Sequence, residues 1–396
     1  MKVAIVSCVY PPEPAVSART SFDLARALQE RGHDVTVICP FPNRPGGRVF
    51  DGFRRGWRRI ASEDGIRVER RWSTLSRTST LVSRFVENIT FGITSALALR
   101  RAKPDVAYLN SWPLFATALA VLALGRTPFL VSVQDVYPES LFVQRRRGAR
   151  ILGALLRRLD VWIAQRARAV LVLSKGFAEL YERDRGVDSQ RIHIVPNWIT
   201  EEIAPDAEAG RAYRRERGIP DEAVVVAYGG NIGVAANVEQ LIDAFRMLDE
   251  RFHLLIAGSG PRAGACRARA REVAPARIHF HDPWPASMTA AVLSAADVLA
   301  LPTLGEQSLV SVPSKLLTYL LLDKPIVAIA SRDSEIARML DEAGAGWCVA
   351  PQELADAIRN ATPRGGREYA LREFSRETCL LRIVELAERA ALCSRT

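Results

Sequence analysis

Apolar residues in this chain fall into two alternating rhythms. Short apolar runs, many of them β-branched, lie at 3–9, 34–39, 105–109, 129–133 and 169–173. Each reads as a strand buried on both faces. Between them the spacing changes. Residues 20–31 place apolar side chains at 22, 24, 25 and 28, one helical face, and Gly32 reads as the stop. This alternation predicts a parallel, doubly wound sheet. Residues 40–75 break the rhythm. They are rich in Arg, Gly and Pro, carry Trp57 and Trp72, and predict an irregular excursion or a small hairpin. At 192–197 (IHIVPN) a strand runs into a turn. The rhythm then restarts, with strands predicted at 224–228, 254–257, 278–280, 298–301 and 326–329 and a helix from Val238.

The pattern implies an α/β protein of two Rossmann-like domains with parallel doubly wound sheets. A basic N-terminal domain spans 1–200. Residues 201–222, polar and acidic with Pro205 and Pro220, read as the linker. The C-terminal domain spans 223–370, and 371–396 reads as a helical tail packing back on the N-terminal domain. The length of 396 residues agrees, being too long for one ordinary core.

Composition narrows the class. Apolar residues make up 48%, enough for two cores. Six cysteines (8, 39, 266, 348, 379 and 393) are scattered without a CxxC and read as reduced thiols of a cytoplasmic protein, with Cys8 and Cys39 inside strand-like runs. The first ten residues (MKVAIVSCVY) read as a first strand ended by Pro11-Pro12, not as a signal peptide. No stretch reaches the ~18–20 apolar residues of a membrane span. The nearest, 114–124, is broken by Gly125-Arg126.

Charge changes the picture more. The net of +10 is not evenly spread. Residues 1–200 hold 31 Lys and Arg against 17 Asp and Glu, and residues 201–396 hold 23 against 27. The excess lies in the first half, which suggests that this half meets an anionic partner or surface. Only five residues are Lys, so compositional bias explains part of the arginine content but not the asymmetry of sign.

Four segments are candidates for chemistry. Tyr228-Gly-Gly-Asn-Ile-Gly233 lies between a strand and a helix. Glycines there let backbone N–H groups approach a phosphate, and the helix start adds partial positive charge. The spacing is not GxGxxG, so a dinucleotide site is disfavoured. Next, Pro313-Ser314-Lys315 reads as a helix start. A lysine in a first turn is unfavourable by a few tenths to about 1 kcal/mol, a sign that a bound diphosphate reverses. Gln134-Asp135-Val-Tyr-Pro-Glu139 falls at the C-terminal end of a strand, where doubly wound sheets bind ligands; either carboxylate suits a hydroxyl proton or a sugar hydroxyl. The loop Tyr10-Pro-Pro-Glu13 through Arg19 lies at the same edge, with Arg19 suited to clamp a phosphate. Gly258-Ser-Gly260 reads as a turn, and the backbone of His281-Asp-Pro-Trp284 suits a nucleobase. No His/Cys/Asp/Glu cluster has metal-ligand spacing. Plain alternatives stand beside each: a tight turn, a solvated lysine, a helix cap, a surface arginine.

Together these segments resemble the bacterial family-4 retaining glycosyltransferases of GT-B fold, and among them the WbuB-like group. The likeness rests on YPPEP, RGHDVTVI at 31–38, QDVYPES at 134–140, VPN at 195–197, YGGNIG at 228–233, IAGSGP at 256–261, AADVLALP at 295–302 and PSKLLTYLLLDKPIVA at 313–328, in family order over nearly the whole chain. The resemblance implies two domains facing across a cleft. A nucleotide-sugar, usually UDP-linked, would be held by Gly230, Asn231, Gly233, Ser314, Lys315, Asn197 and Trp284. Asp135, Glu139 and Lys315 would be catalytic, with Glu13 and Arg19 on the N-domain loop. Transfer would need no metal or other cofactor. The chain departs from the family at several positions. Ala15-Val16 replace two glycines. Val310 and Thr318 stand where many members carry paired glutamates, Asp323 stands at a glycine, and Gln134 stands at a histidine.

The expected partners are the nucleotide-sugar, a lipid-linked saccharide acceptor and the anionic inner face of the cytoplasmic membrane; nucleic acid is not expected. Arg54-Arg55, Arg58-Arg59, Arg70-Arg71, Arg100-Arg101 and 145–147 would meet headgroups, and Trp57, Trp72, Phe85 and Phe91 would insert. The helix at 80–98 would lie on the surface. Two other readings stay open: a degenerate GT-B binding subunit, and a GT-B sugar-nucleotide epimerase using His281.

Overall fold

The computed structural model describes residues 1–392 apart from Pro45, 77–80, 111–112, 137–148, 200–202, Pro283 and 304–312. Contacts divide the chain into two units, Met1–Trp198 with Glu377–Thr396, and Ile199–Arg376. The first unit carries strands β1 (Lys2–Val6), β2 (Asp34–Pro40), β3 (Arg58–Glu63), β4 (Ile66–Arg71), β5 (Val106–Asn110), β6 (Phe129–Val133), β7 (Ala169–Val172) and β8 (Ile192–Ile194). Its helices are α1 (Val16–Glu30), α2 (Leu81–Ala102), α3 (Leu114–Leu124), α4 (Ala149–Arg166) and α5 (Lys175–Arg185). The strands form one sheet in the order β3-β4-β2-β1-β5-β6-β7-β8, parallel except for the β3–β4 pair. From β1 the chain winds outward through β2, then returns to β5 on the other side. The switch point therefore lies between β1 and β5, at whose carboxyl ends ligands bind in open sheets.

Sequence signals explain the element ends. Ser174 caps α5 by accepting from the Phe177 N–H, and Gly186 closes it in the left-handed region. β1 is shorter than the apolar run 3–9 predicts. It ends at Val6 because Ser7 turns into a buried loop, its Oγ donating to the Val9 carbonyl. Cys8 thus sits in a buried loop, while Cys39 lies in β2. The excursion at 40–75 is the antiparallel hairpin β3–β4, and it extends the main sheet because β4 pairs parallel with β2.

The second unit contains α6 (Ala207–Glu216), β9 (Val224–Gly229), α7 (Val238–Ala244), β10 (Phe252–Ala257), α8 (Ala263–Val273), β11 (Ile278–His281), α9 (Thr289–Ser294), β12 (Val298–Pro302), α10 (Ser314–Leu321), β13 (Ile326–Ile329), α11 (Glu335–Ala343), β14 (Gly346–Val349), α12 (Leu354–Arg359) and α13 (Arg367–Phe374). Its parallel sheet runs β11-β10-β9-β12-β13-β14, with the switch point between β9 and β12. The stretch read as a linker holds α6 instead. Its Tyr213 is buried in the core, and Arg214 pairs with Asp297 at 2.7 Å. The polar character of 201–222 reflects one solvated helix face, which sequence does not distinguish from a linker. The final helix, α14 (Arg376–Leu392), packs Cys379, Leu380, Ile383 and Val384 against the core of the first unit.

Candidate active site

In the second unit β9 ends on a buried tyrosine, Tyr228, followed by Gly229 and Gly230. Two glycine loops interlock there. Gly230 (φ 140°), Gly258 (φ 144°) and Gly260 (φ 156°) all occupy conformations that other residues rarely adopt. A Cβ on Gly258 would lie 1.9 Å from the Gly230 carbonyl oxygen, and one on Gly260 2.5 Å from that of Ile232. Ladder bonds join the loops: Gly230 N–H to the Ala257 carbonyl (2.9 Å) and Ile232 N–H to that of Ser259 (2.8 Å). Gly258-Ser-Gly260 is therefore the wall on which the first glycine loop is cast, more than the turn that sequence suggested.

This arrangement changes the role of Gly230. Its N–H is already committed to Ala257 and is not free for a phosphate. The N–H groups of Asn231 and Gly233 have no acceptor among the described residues. What Gly230 supplies is space, because a Cβ would stand 3.2 Å from Lys315 Nζ.

Lys315 lies in the first turn of α10. Its ammonium donates to Tyr228 Oη at 2.6 Å and sits 4.3 Å from the centre of that ring. Tyr228 Oη in turn donates to the Asn231 carbonyl at 2.7 Å. Among the described residues no carboxylate pairs with Lys315. Desolvation lowers its pKa to about 8. One turn later, buried Tyr319 accepts from the Gly229 N–H at 2.8 Å and fixes α10 to the end of β9. Trp284 is half-buried with its ring edge against Gly229. The site thus combines an uncompensated ammonium, a helix start, two unused N–H groups and a flat aromatic wall, an arrangement suited to a diphosphate with an attached ring. Sequence did not reveal Tyr228 and Tyr319 as the parts that hold it, since their partners lie 87 and 90 positions away.

Gly230, Asn231, Gly233, Lys315 and Trp284 therefore share one loop cluster, where Ser314 is the first residue of α10. Thr318 lies on α10, while Val310 is outside the described residues. Asp323 has φ 50°, so a family glycine at that position has a backbone reason, and its carboxylate accepts from the Arg367 N–H at 2.9 Å. His281 is buried, with Nδ1 2.8 Å from Tyr213 Oη, so that nitrogen is engaged in the core.

The other predicted residues lie in the first unit. Asp135 stands two residues past β6 with its carboxyl pushed up by desolvation, although its side chain still reaches solvent. Glu139 falls outside the described residues. Glu13 is buried and accepts from the N–H groups of Tyr10 (3.1 Å), Asn43 (2.9 Å) and Arg44 (2.9 Å). It clamps the loops after β1 and β2 to each other. Arg19 is on α1, not in the loop, because the helix begins at Val16; its Nε pairs with Asp23 at 3.1 Å. Asn197 is half-buried three residues beyond β8, next to Trp198, whose Nε1 donates to Asp23 at 3.0 Å.

Two membrane expectations fail. Arg70 and Arg71 are fully buried, not surface residues. Arg70 bonds Glu63 and the Pro11 and Pro40 carbonyls, and Arg71 bonds Glu69 and the Thr94 carbonyl. Phe91, 3% exposed, belongs to the core of the first unit. Trp57 is exposed and stacks on Trp72 with centroids 6.0 Å apart.

The Glycosyl transferase 4-like domain matches residues 17–198, and the Glycosyl transferases group 1 domain matches residues 223–362. The probable glycosyltransferase WbjE of Pseudomonas aeruginosa is 28% identical, with 70% of this chain and 71% of that protein aligned. The putative colanic acid biosynthesis glycosyl transferase WcaI of Escherichia coli K12 is 25% identical across 97% of this chain and 99% of its own length. Among solved structures, Anabaena Alr3699/HepE in complex with UDP superposes with a TM-score of 0.71 at 15% identity, covering 97% of this chain and 99% of that one. That likeness shows the fold.

Proposed function

The chain belongs to the bacterial family-4 glycosyltransferases, with a GT-B fold of two parallel-sheet α/β domains, and from that premise we propose that it moves a sugar from a UDP-linked donor to a lipid-linked or glycan acceptor in the building of a bacterial surface polysaccharide. The observation that carries this reading is the Lys315 ammonium, half-buried beside the glycine loops with no carboxylate partner among the described residues. Breaking the bond between the anomeric carbon and the diphosphate leaves negative charge on the leaving oxygen. Lys315 and the free N–H groups of Asn231 and Gly233 neutralise that charge, which is the work a metal does in other transferases. Trp284 packs beside the nucleobase. Asp135 and Glu139 orient the acceptor hydroxyl or take its proton, and the anomeric configuration is retained.

WcaI is named for colanic acid biosynthesis, and Alr3699/HepE was crystallised with UDP. Among the described residues no helix is long and apolar enough to cross a membrane. Val82, Phe85 and Val86 of α2 are exposed, which suits peripheral contact with an anionic membrane in place of the buried Arg70, Arg71 and Phe91.

The test is release of UDP from UDP-sugars by the purified protein, with proton NMR to read the anomeric configuration of the product. Lys315→Ala is expected to lower turnover by about 10²–10³-fold. Undiminished turnover in that variant would remove the proposed role of Lys315.

A further inference from the structure

The buried arginines of the first unit are satisfied by carboxylates: Arg70 by Glu63, Arg71 by Glu69 and Arg185 by Asp160. One cluster is not. At the amino-terminal edge of β6 and β7, a cavity of about 540 Å³ is lined by Arg126, Arg166, Arg168 and Arg191, with Trp162 and Leu122 on its apolar side. Among the described residues no acidic side chain lines it. Arg191 is engaged, its Nη2 donating to the carbonyls of Ala164, Gln165 and Ala167 at the end of α4. Arg166 is exposed and lies over the Trp162 ring at 4.4 Å. Arg126 and Arg168 occupy the turns before β6 and β7, both exposed, and neither has a carboxylate or carbonyl partner for its side chain among the described residues.

Complementing helix dipoles accounts for a cation after each helix end. It accounts for Arg191 but not for three further guanidiniums around one cavity with an aromatic wall, whose mutual repulsion an anion relieves. Guanidinium forks match phosphate oxygens, and the volume exceeds one phosphate group and suits a small molecule that carries one. Trp162 and exposed Leu122 offer that molecule an apolar or ring contact.

We propose that this cavity is a second, non-catalytic site for a phosphate-bearing ligand, on the opposite edge of the sheet from Asp135 and independent of the donor site in the second unit. The phosphate comes either from a soluble phosphorylated molecule or from the headgroup of an anionic lipid.

Two assays on the full chain carrying Lys315→Ala, which removes the donor-site ammonium that would also take a diphosphate, distinguish these sources: calorimetric titration with inorganic pyrophosphate, and co-sedimentation with vesicles of phosphatidylglycerol against phosphatidylcholine. Arg126→Ala with Arg168→Ala changes two exposed turn side chains, and an unchanged melting temperature confirms the fold. The double variant is expected to bind at least tenfold more weakly to pyrophosphate if the source is soluble, or to phosphatidylglycerol if it is lipid. Arg211→Ala with Arg215→Ala, which removes equal charge from exposed positions of α6, should change neither by more than twofold. Lys315→Ala should keep the arginine-dependent binding while losing donor turnover, so failure of this site and failure of the donor site are read separately. The proposal is overturned if the parent binds neither probe, if the cavity variant binds both as the parent does, or if the α6 variant loses as much.

Discussion

At the scale of single residues, Lys315 is the group whose environment says most. Its free-state pKa near 8 lies below the ordinary lysine value because the ammonium is desolvated beside Tyr228. Stability follows from the sign. The unfolded chain binds this proton more tightly than the fold does, so the burial penalty is complete below about pH 8 and is relieved as pH rises above it. Lys315→Met should therefore raise the melting temperature of the ligand-free protein at pH 7 and lose that advantage by pH 10. Donor affinity runs the other way. A diphosphate binds the charged form, so affinity should be flat below about pH 8 and fall above it by up to about tenfold per unit. Calorimetry with UDP across pH 6.5–9.5 checks this (buffer range of roughly three units around the shifted value), and a pH-independent affinity would contradict it. Lysine in a helix's first turn beside a glycine loop was legible in the sequence. The tyrosine that holds it was not, because local spacing carries no information about a bond spanning 87 residues.

At the scale of elements, the site depends on loops fixed by neighbours. Gly258 has no room for a side chain against the Gly230 carbonyl and holds a positive φ, so Gly258→Ala should displace the Tyr228–Gly233 loop. Loss of UDP binding, with a fold retained by circular dichroism, is the expected result. In the first unit, Glu13 ties the loops after β1 and β2 to each other, and Arg70 ties the loop after β1 to the end of β2 through the Pro11 and Pro40 carbonyls. Arg70→Met leaves Glu63 without its partner and should cost about 3–5 kcal/mol in denaturant unfolding. Sequence reads Arg70-Arg71 as surface charge because periodicity on a strand beside a hairpin does not show which face the hairpin covers. The hairpin β3–β4 itself was foreseen as one of two options, and its place in the main sheet was not, since strand pairing beyond nearest neighbours is set by tertiary packing. The same limit turned a solvated helix, α6, into an expected linker.

At the scale of the whole molecule, the alternation of strands and helices was enough to read two parallel-sheet domains, because buried parallel strands leave continuous apolar runs that a sequence displays directly. The asymmetry of charge was equally visible, but its use was not. Part of it is internal, in Arg70, Arg71 and Arg185, and part converges on the arginine cavity. The central claim remains that a nucleoside diphosphate sits on the glycine loops of the second unit, held by Lys315. Calorimetric titration of UDP into the full chain and into Lys315→Ala at pH 7 tests it most directly. The account predicts binding by the parent and at least tenfold weaker binding by the variant, equal to a loss of roughly 1.4 kcal/mol or more. Equal affinity in the two proteins would contradict it.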